Sequence, residues 1–325
     1  MARSQSELSW CGIDARPDVN ILLTGASSFT GYWFAKALSE AGHRVVATLR
    51  APRTEYLDGV RAERVRRLAA VAEIVDEAPF GGDRFLSVAC GAFDALCHHA
   101  ARVGDYRSRD FDIPGALAEN TANLHSVLEA LVRGGLRGVV LTGSVFEQNE
   151  GVGEMPLVAF SPYGLSKGLT AEIVRYRCRE LGLRFCKFVI PNPFGPLEEP
   201  RFCAYLTRSW RKGEVARVNT PDYVRDNIHV SLLAAAYAKF VGEVAAGKGR
   251  DKLNPSGYVE SQGTFADRVA AAMRPRLTMP CRIEFAVQTD FSEPTMRVNF
   301  DSAARYVGEW NESAAWDEAA EGYRG

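Results

Sequence analysis

The sequence has no apolar run of membrane-spanning length, no cysteine pair at metal-binding spacing and almost no net charge. A transmembrane helix needs roughly 20 consecutive apolar residues, so a membrane span is not expected. The seven cysteines are odd in number and show no C-x-x-C spacing, which argues against a disulfide framework and against a zinc site. The net charge of −1 leaves no electrostatic footprint for nucleic acid or an anionic membrane.

Residues 1–18 also lack the charged segment and long apolar core of a secretory signal. We expect them to form a polar leader on a cytoplasmic protein whose thiols are reduced. Cys97 and Cys186 lie in apolar, strand-like runs and are interpreted as small core residues. The 325 residues are enough for one large α/β domain and a small appended one.

Near its N-terminus the chain does contain a strand, a glycine turn and a helix in succession. An apolar run over residues 20–24 ends at Gly25, and a helical pattern follows Gly31. Gly25 allows a tight turn and Gly31 a close approach of helix and strand, while the helix N-terminus offers free N–H groups to a pyrophosphate. Ser28 replaces the middle glycine of this dinucleotide-binding spacing. An ordinary βα turn is the alternative interpretation.

A second motif is the pair Tyr163 and Lys167 in residues 161–167. On a helix, side chains four residues apart lie on one face, one turn from each other. The Lys167 ammonium can then favour the phenolate of Tyr163, because the ordinary tyrosine pKa of about 10 is too high for a base at neutral pH. Such a tyrosine can move a proton to or from an alcohol oxygen while a nicotinamide moves a hydride.

Strand-like and helical patterns alternate along the rest of the chain, with short breaks. Strands are predicted at 44–49, 72–75 and 183–190, and helices at 56–68 and 111–132. In the longer helix, apolar residues recur at helical spacing. This alternation indicates an α/β fold, a doubly wound parallel sheet covered by helices on both faces.

Together these features resemble the extended short-chain dehydrogenase/reductase family, in its NAD(P)-dependent epimerase/dehydratase group. Further segments match in order: the fourth strand and its small-residue turn at 93–101, the helix asparagine Asn120, the fifth strand at 139–146, the N-x-[YF]-G-P loop at 192–196 and the R-D-x-x-H-V segment at 225–230. The resemblance implies a Rossmann-type cofactor domain at 19–196. It also implies that 197–325 mainly form a smaller substrate-binding lobe, with some segments returning to the first domain.

The resemblance assigns catalytic roles to a few residues. Tyr163 is the expected general acid/base, and Lys167 lowers its pKa and binds the nicotinamide ribose. Thr142 is expected to hold the substrate oxygen, with Ser144 as its rival and Asn120 as a supporting residue. No metal site is expected.

The resemblance also implies two sets of binding residues. Those expected at the cofactor are Gly25, Ser28, Phe29, Gly31, Arg50, Arg53, Asp76, Ala100, Ala101, Lys167 and Pro191. Those expected at the substrate are Asn192, Arg201, Phe202 and Arg225. Two nearby groups are interpreted without a catalytic role: His98 and His99 line or pack the cleft, and Glu147, Glu150 and Glu154 form a solvated loop.

The choice of cofactor depends on the end of the second strand. Residues 49–53 contain Arg50 and Arg53 and no acid. An acid there would bind the ribose 2′-hydroxyl of NAD, whereas arginines can pair with the 2′-phosphate of NADP. We therefore predict NADP as the cofactor, with NAD as the alternative. Both arginines could otherwise be solvated surface residues with no role in cofactor binding. Asp76 is expected near the adenine amino group, or is a turn-forming aspartate.

The two residues directly after Thr142 narrow the range of reactions. The family's 4,6-dehydratases carry an Asp-Glu pair there, and this chain has Gly143 and Ser144, so dehydration is not expected. We predict NADPH-dependent reduction of a nucleotide-linked 4-keto sugar. The alternatives are a nucleotide-sugar 4-epimerase that retains NAD, a reductase of a non-nucleotide carbonyl, and a cofactor-binding sensor or scaffold.

The expected partners are a small-molecule substrate and a second copy of the chain. By resemblance, Arg225 pairs with the diphosphate of a nucleotide sugar, because the arginine fork matches phosphate geometry; a structural ion pair is the alternative. The family's dimer interface implies a homodimer through the helices at 111–132 and 162–181. Nucleic acid and membrane are not expected as partners.

Overall fold

The computed structural model describes residues 19–106 and 108–324, so the expected polar leader at 1–18 lies outside the described residues. The strands are β1 (Asn20–Thr24), β2 (Arg44–Thr48), β3 (Glu73–Val75), β4 (Ala95–His98), β5 (Gly138–Ser144), β6 (Val152–Gly153), β7 (Arg184–Ile190), β8 (Asn192–Phe194), β9 (Ala216–Val218), β10 (Val224–His229), β11 (Lys252–Leu253), β12 (Pro255–Ser256), β13 (Tyr258–Ser261), β14 (Ile283–Phe285), β15 (Met296–Val298) and β16 (Asp301–Ser302). The helices are α1 (Phe29–Glu40), α2 (Gly59–Leu68), α3 (Asp83–Ala89), α4 (Ile113–Asn120), α5 (Leu124–Arg133), α6 (Pro162–Glu180), α7 (Phe202–Arg211), α8 (Val230–Ala245), α9 (Gln262–Leu277), α10 (Ala303–Val307) and α11 (Glu312–Gly322), with a 3-10 turn at Arg53–Glu55.

Seven of the described strands form one sheet in the order β11-β7-β5-β4-β1-β2-β3, and every pairing in it is parallel. Strands β4 and β5 are buried along their whole length, as expected where helices cover both faces. The strand order reverses between β1 and β4, which opens a crevice at their carboxyl ends. The predicted doubly wound α/β fold is confirmed.

Each face of the sheet has its own core. On one face, α1 and α8 pack together, and the rings of Phe34 and Tyr237 stack with their centroids 3.8 Å apart. On the other face, α5 and α6 contribute apolar residues such as Leu128 and Val174. Cys97 and Cys186 are fully buried, which confirms their interpretation as core residues. Helix α6 is therefore fixed against the sheet along its length.

A third core lies in the C-terminal part of the chain. It is formed by α7, α9 and α11, whose residues Leu206, Phe265 and Trp316 are buried together with Phe194. A mixed sheet in the order β13-β10-β15-β6, with β8 beside β10, connects this lobe to the crevice. Helix α8 and strand β11 belong to the large sheet instead, so the chain crosses between the two parts more than once. The domain boundary at residue 196 stays a prediction.

The helix expected over 111–132 is wrong as one continuous element. It is divided into α4 and α5, because Asn123 takes a left-handed conformation with φ of 47°. The Asn123 amide donates to the carbonyl of Gly81 over 2.8 Å. A Cβ on Gly81 would lie 1.9 Å from the carbonyl oxygen of Ala122, so the two turns touch backbone to backbone. Packing against a distant turn therefore overrides the local helical pattern.

None of the helices in the described ranges is long and apolar enough to cross a membrane.

Candidate active site and cofactor cleft

The turn between β1 and α1 lies at the crevice in the large sheet. Gly25 has φ of +76°, and a Cβ there would lie 2.7 Å from the amide nitrogen of Ala100 at the end of β4. A Cβ on Gly31 would lie 2.2 Å from the carbonyl oxygen of Gly25. Glycine is required at both positions, and the resulting close turn aims the N-terminus of α1 into the crevice.

Ser28 takes the place of the middle glycine without backbone strain. Its φ of −76° is ordinary, and it caps α1 by accepting a hydrogen bond from the Gly31 amide over 3.1 Å. Its hydroxyl donates to the carbonyl of Gly25 over 2.8 Å. The hydroxyl therefore stabilises the turn itself, next to Phe29, the first residue of α1. A turn of this shape, at a strand-order reversal, fits a dinucleotide pyrophosphate.

Two histidines connect the glycine turn to the end of β4. His98 lies between the Thr24 hydroxyl and the Asn120 carbonyl, at 3.1 and 3.0 Å, and stacks on Phe80. His99 Nε2 lies 3.0 Å from the Ser28 hydroxyl. Burial lowers the pKa of His98 to about 4 and that of His99 to about 3, so both rings are neutral at pH 7. Their interpretation as cleft-lining residues agrees with this placement.

The residues after β2 are arranged differently from the expectation that both arginines face a phosphate. Arg53 Nε donates to Asp76 Oδ2 over 2.7 Å, so two candidate cofactor residues bind each other. Arg50 is exposed and lines a groove with Tyr56 and Arg61. Arg61, which sequence reasoning missed, donates to the Ser27 hydroxyl in the glycine turn over 2.9 Å. Its position in α2, the arginine-rich helix that follows β2 and the 3-10 turn, was the available signal.

Arg64 connects the glycine turn to the loop after β8. Its guanidinium donates to the carbonyls of Ser27 and Leu197, at 3.0 and 2.7 Å, and pairs with Glu199 at 2.6 Å. The side chain is 1% exposed. A buried arginine is tolerated because these partners satisfy it.

Tyr163 and Lys167 project from the first turns of α6, where Ser161 caps the helix by accepting from the Gly164 amide. The Tyr163 ring lies edge-on to Phe111, with centroids 5.9 Å apart, and to Tyr106 at 6.1 Å. Lys167 is buried, and its ammonium donates to the carbonyl oxygen of Thr142 over 2.6 Å. Lys167 therefore links α6 to the end of β5.

The pKa of Tyr163 is raised, contrary to the expectation that it is lowered. Burial, followed by the charge of Glu147, raises it to about 12, while Arg201 opposes the rise. Burial lowers the pKa of Lys167 to about 8, and Glu147 opposes that fall. The expected direction was wrong because burial outweighs the neighbouring charges, and because the Lys167 ammonium is directed at the Thr142 carbonyl.

The hydroxyls at the end of β5 have different surroundings. Thr142 Oγ1 is buried facing the Tyr237 hydroxyl, with no hydrogen bond of normal geometry. Ser144 Oγ accepts from the Phe146 amide over 3.2 Å. Asn120 lies nearby, where its side chain accepts from the Arg102 amide at 2.8 Å and bonds Thr170 on α6 at 3.3 Å. Asn120 thus positions α6 against the strand ends.

The loop after β5 is not a solvated acidic loop, which corrects that interpretation. Glu147 is fully buried and pairs with Lys187 on β7 at 2.5 Å. Glu150 is also buried, and pairs with Lys187 at 2.8 Å and with Lys252 at 2.5 Å. Glu154 alone is exposed, and it accepts from the Thr295 hydroxyl. Glu147 and Glu150 are buried because they pair with lysines far away in the sequence, and the composition of the loop does not reveal these partners.

The expected substrate residues lie along the lobe side of the crevice. Asn192, next to the buried Pro191, donates to the carbonyl of Asp226 over 3.2 Å. Arg201 is the residue directly before α7, and its positive charge favours the ionised form of Tyr163. Phe202 is the first residue of α7. The crevice thus brings Arg201 near the proposed acid/base.

Arg225 is largely occupied by protein partners. It pairs with Glu293 at 2.9 Å, donates to the carbonyls of Pro294 and Val224 at 3.0 Å, and stacks 4.4 Å from the ring centre of Tyr223. A structural ion pair is therefore present, although with a different partner from Asp226. Its role toward a diphosphate stays a prediction.

The described residues contain no group of histidine, cysteine and acidic side chains arranged to hold a metal ion.

The fold and the crevice define a dinucleotide-binding protein of the doubly wound class. The model of the NAD dependent epimerase/dehydratase family matches residues 21–254, and the chain belongs to that family. This confirms the resemblance and supports an enzyme with a nicotinamide cofactor.

Similar proteins are found by sequence and by structure. A UDP-glucose 4-epimerase from Azospirillum brasilense is 26% identical over 261 residues, which cover 72% of this chain and 71% of the relative. A UDP-glucose 4-epimerase from Thermotoga maritima, solved with UDP-glucose, is 18% identical with a TM-score of 0.70 over 94% of this chain and 98% of its own. A UDP-glucuronic acid 4-epimerase variant from Bacillus cereus, solved with a fluorinated substrate analogue and NAD, is 16% identical with a TM-score of 0.71 over 94% and 99%.

Proposed function

We propose that this protein is a 4-epimerase of a nucleotide-linked sugar that retains NAD as a bound cofactor. The observation that carries the proposal is the pair Tyr163 and Lys167 on α6, with Lys167 joined to the Thr142 carbonyl at the edge of the cofactor crevice. The relative from Azospirillum brasilense, a UDP-glucose 4-epimerase, supports this reaction over the 4-keto reduction favoured from the sequence. The ion pair between Arg53 and Asp76 also supports NAD, since it occupies an arginine otherwise available to a 2′-phosphate.

In this proposal, the side chains around the crevice transfer the proton and hold the sugar and the cofactor in position. The bound nicotinamide would supply the hydride acceptor and donor. Tyr163 takes the proton from the C4 hydroxyl and returns one after the 4-keto sugar presents its other face. Lys167, held at the end of β5 by the Thr142 carbonyl, would bind the nicotinamide ribose, and Thr142 or Ser144 holds the C4 oxygen. Arg201, Asn192 and Arg225 would bind the nucleotide part.

The test is to incubate the purified protein with UDP-glucose and, separately, with UDP-glucuronic acid, without added cofactor, and to follow the sugars by proton NMR. We expect the C4 epimer to accumulate to a fixed equilibrium ratio. Tyr163→Phe should lower the rate by about 10²- to 10⁴-fold and keep cofactor binding. Loss of water from the sugar would instead indicate a dehydratase, and no change with any nucleotide sugar would contradict the proposal.

A second candidate, NADPH-dependent reduction of a 4-keto sugar, is favoured by exposed Arg50 in a groove beside the glycine turn, with no acid at the end of β2. It predicts stoichiometric loss of NADPH absorbance with a 4-keto sugar, which an epimerase does not require. A reductase of a non-nucleotide carbonyl would consume NADPH without a nucleotide sugar. A sensor would bind cofactor and turn nothing over, with or without Tyr163.

We further propose a cytoplasmic homodimer that pairs through the segments 111–132, which holds α4 and α5, and 162–181, which holds α6. The apolar side chains of Leu165, Ile173 and Tyr176 are exposed on one side of α6, which supports an interface there. The solution mass at micromolar concentration tests this, and a monomeric mass would contradict it.

A further inference from the structure

Lys187 is an unusual residue for the middle of a buried parallel strand, and Gly143 makes its side chain possible. The side chain is 5% exposed and crosses the neighbouring strand β5 at Gly143. A Cβ on Gly143 would lie 2.6 Å from Lys187 Cε and 3.1 Å from Glu147 Oε1. The space that a side chain at 143 would fill is therefore occupied by the aliphatic part of Lys187 and by the Glu147 carboxylate.

Glu147 is held there by two contacts and is fully buried. Its Oε2 accepts from Lys187 Nζ over 2.5 Å, and its Oε1 accepts from the Ser144 amide over 2.7 Å. An ionised carboxylate at such a site is stable only because a cation and a backbone donor satisfy it. The side chain thus has one defined position.

That position is on the same edge of β5 as the Lys167 ammonium. Lys167 binds the carbonyl of Thr142, and Glu147 binds the amide of Ser144. In an extended strand these groups, two residues apart, point to the same side and lie within about 7 Å of each other. Strand β4 pairs with β5 only as far as Leu141, which leaves this stretch of the edge open to side chains.

We propose that Glu147 is a positioning residue of the active site, which keeps the buried ammonium of Lys167 charged at the end of β5. This role rests on the proposed function of Tyr163 and Lys167. It requires no direct contact of Glu147 with the sugar or the cofactor.

The charges that face Lys167 come from three directions. Glu147, after β5, favours its ammonium, and Lys187, on β7, opposes it with a smaller effect. His98 and His99, at the end of β4, are neutral at pH 7 and titrate well below it. Burial already lowers the pKa of Lys167 to about 8, so without Glu147 it would fall toward or below neutral pH.

The test is a titration of Lys167 in the full-length protein by NMR, with ¹³C-labelled lysine. The chain has seven lysines, and the resonance is assigned with Lys167→Arg. We expect Glu147→Gln to lower the Lys167 pKa by about 1. Glu150→Gln is the matched control, because Glu150 pairs with the same Lys187 and is buried alike. It should leave the Lys167 pKa unchanged.

Two results would overturn the proposal: an unchanged Lys167 pKa in Glu147→Gln, or an equal fall in Glu150→Gln, which would indicate a general loosening of the cluster. Should Glu147→Gln fail to fold, the double variant Glu147→Gln/Lys187→Met removes both charges, and the Lys167 pKa should still fall because Glu147 has the larger effect. The titration needs no substrate. A failed epimerase assay and a failed titration are therefore separate results.

Discussion

Arg53 Nε donates to Asp76 Oδ2 over 2.7 Å, so the first residue of a 3-10 turn after β2 is fixed to the residue directly after β3. The pair lies where the adenosine of a dinucleotide is expected, at the carboxyl ends of these strands. Its net charge is zero, whereas a free Arg53 would carry a full positive charge toward a 2′-phosphate. Asp76 is therefore expected to act against NADP by neutralising Arg53.

Replacement of Asp76 by asparagine should tighten the binding of NADPH. The variant frees Arg53 and removes a negative charge, and we expect the NADPH dissociation constant to fall by about threefold to tenfold while that of NADH changes little. Fluorescence titration of cofactor-free protein with each dinucleotide measures both constants.

Glu73→Gln is the control for that experiment, since Glu73 pairs with Arg44 on the same two strands but at the other end of β2. It removes the same charge and should leave both constants unchanged. If both variants changed the dissociation constants equally, only the net charge of the protein would matter, and Asp76 would have no specific effect on the binding of the adenosine part.

Removal of the Thr142 hydroxyl and removal of the Ser144 hydroxyl should have different effects on turnover and on stability. Thr142→Val removes a buried hydroxyl that has no hydrogen bond of normal geometry, so we expect unchanged or slightly higher stability and a turnover lower by about 10²-fold. Ser144→Ala removes the acceptor of the Phe146 amide, so it should lower stability by about 1 kcal/mol with a smaller loss of turnover. Thermal unfolding and initial rates are the measurements. The reverse pattern of rates would assign the substrate oxygen to Ser144.

Removal of the Glu293 carboxylate tests whether Arg225 serves a diphosphate. Glu293→Gln weakens the competing ion pair, so UDP should bind about threefold more tightly if Arg225 turns to the diphosphate. Calorimetric titration with UDP gives the constant. Glu260→Gln, which breaks the ion pair with Arg268 in the same part of the chain, is the matched variant and should have no effect. An unchanged UDP affinity in Glu293→Gln would leave Arg225 a purely structural role.

Glu198 makes stability depend on pH. It accepts from the Tyr323 hydroxyl and the Ala204 amide, and burial raises its pKa to about 7. Between the ordinary glutamate pKa and 7, the folded state holds a proton that the unfolded state releases, so its favourable contribution is complete at low pH and is lost as pH rises through 7.

Glu198→Gln should therefore stabilise the protein at pH of about 8.5 relative to pH of about 5, by an amount of the order of 2 kcal/mol. The midpoint of thermal unfolding at both pH values measures it. Glu214→Gln, at an exposed glutamate of the same lobe, should leave the difference between the two pH values as in the wild type. A variant at 198 with the wild-type pH dependence would show that this carboxyl is ionised in the folded state.

The fold could be predicted from the sequence because buried parallel strands are continuous apolar runs. The predicted strands at 20–24 and 183–190 correspond to β1 and β7 within one residue at each end. The glycine turn was also predictable, since only glycine satisfies the close approaches at Gly25 and Gly31. In these segments local chemistry and tertiary structure require the same residues.

The rest depends on contacts between segments far apart in sequence. The break before α5 depends on Asn123 meeting Gly81, and the burial of Glu147 depends on Lys187. One signal was available: a lysine in the middle of an apolar strand is rarely buried without a counter-charge, so Lys187 implied a buried acid elsewhere. The sequence alone does not show which acid pairs with Lys187, because three glutamates, Glu147, Glu150 and Glu154, follow β5.

Arg64 connects the two loops that border the cofactor crevice. Its single buried guanidinium holds the glycine turn through the Ser27 carbonyl and the entrance of the C-terminal lobe through the Leu197 carbonyl. If either loop moves away, the buried guanidinium loses one of its carbonyl acceptors. We therefore expect the movements of the two loops to be coupled. In the proposed epimerase, this coupling of the two loops would favour a cofactor that stays bound from one turnover to the next.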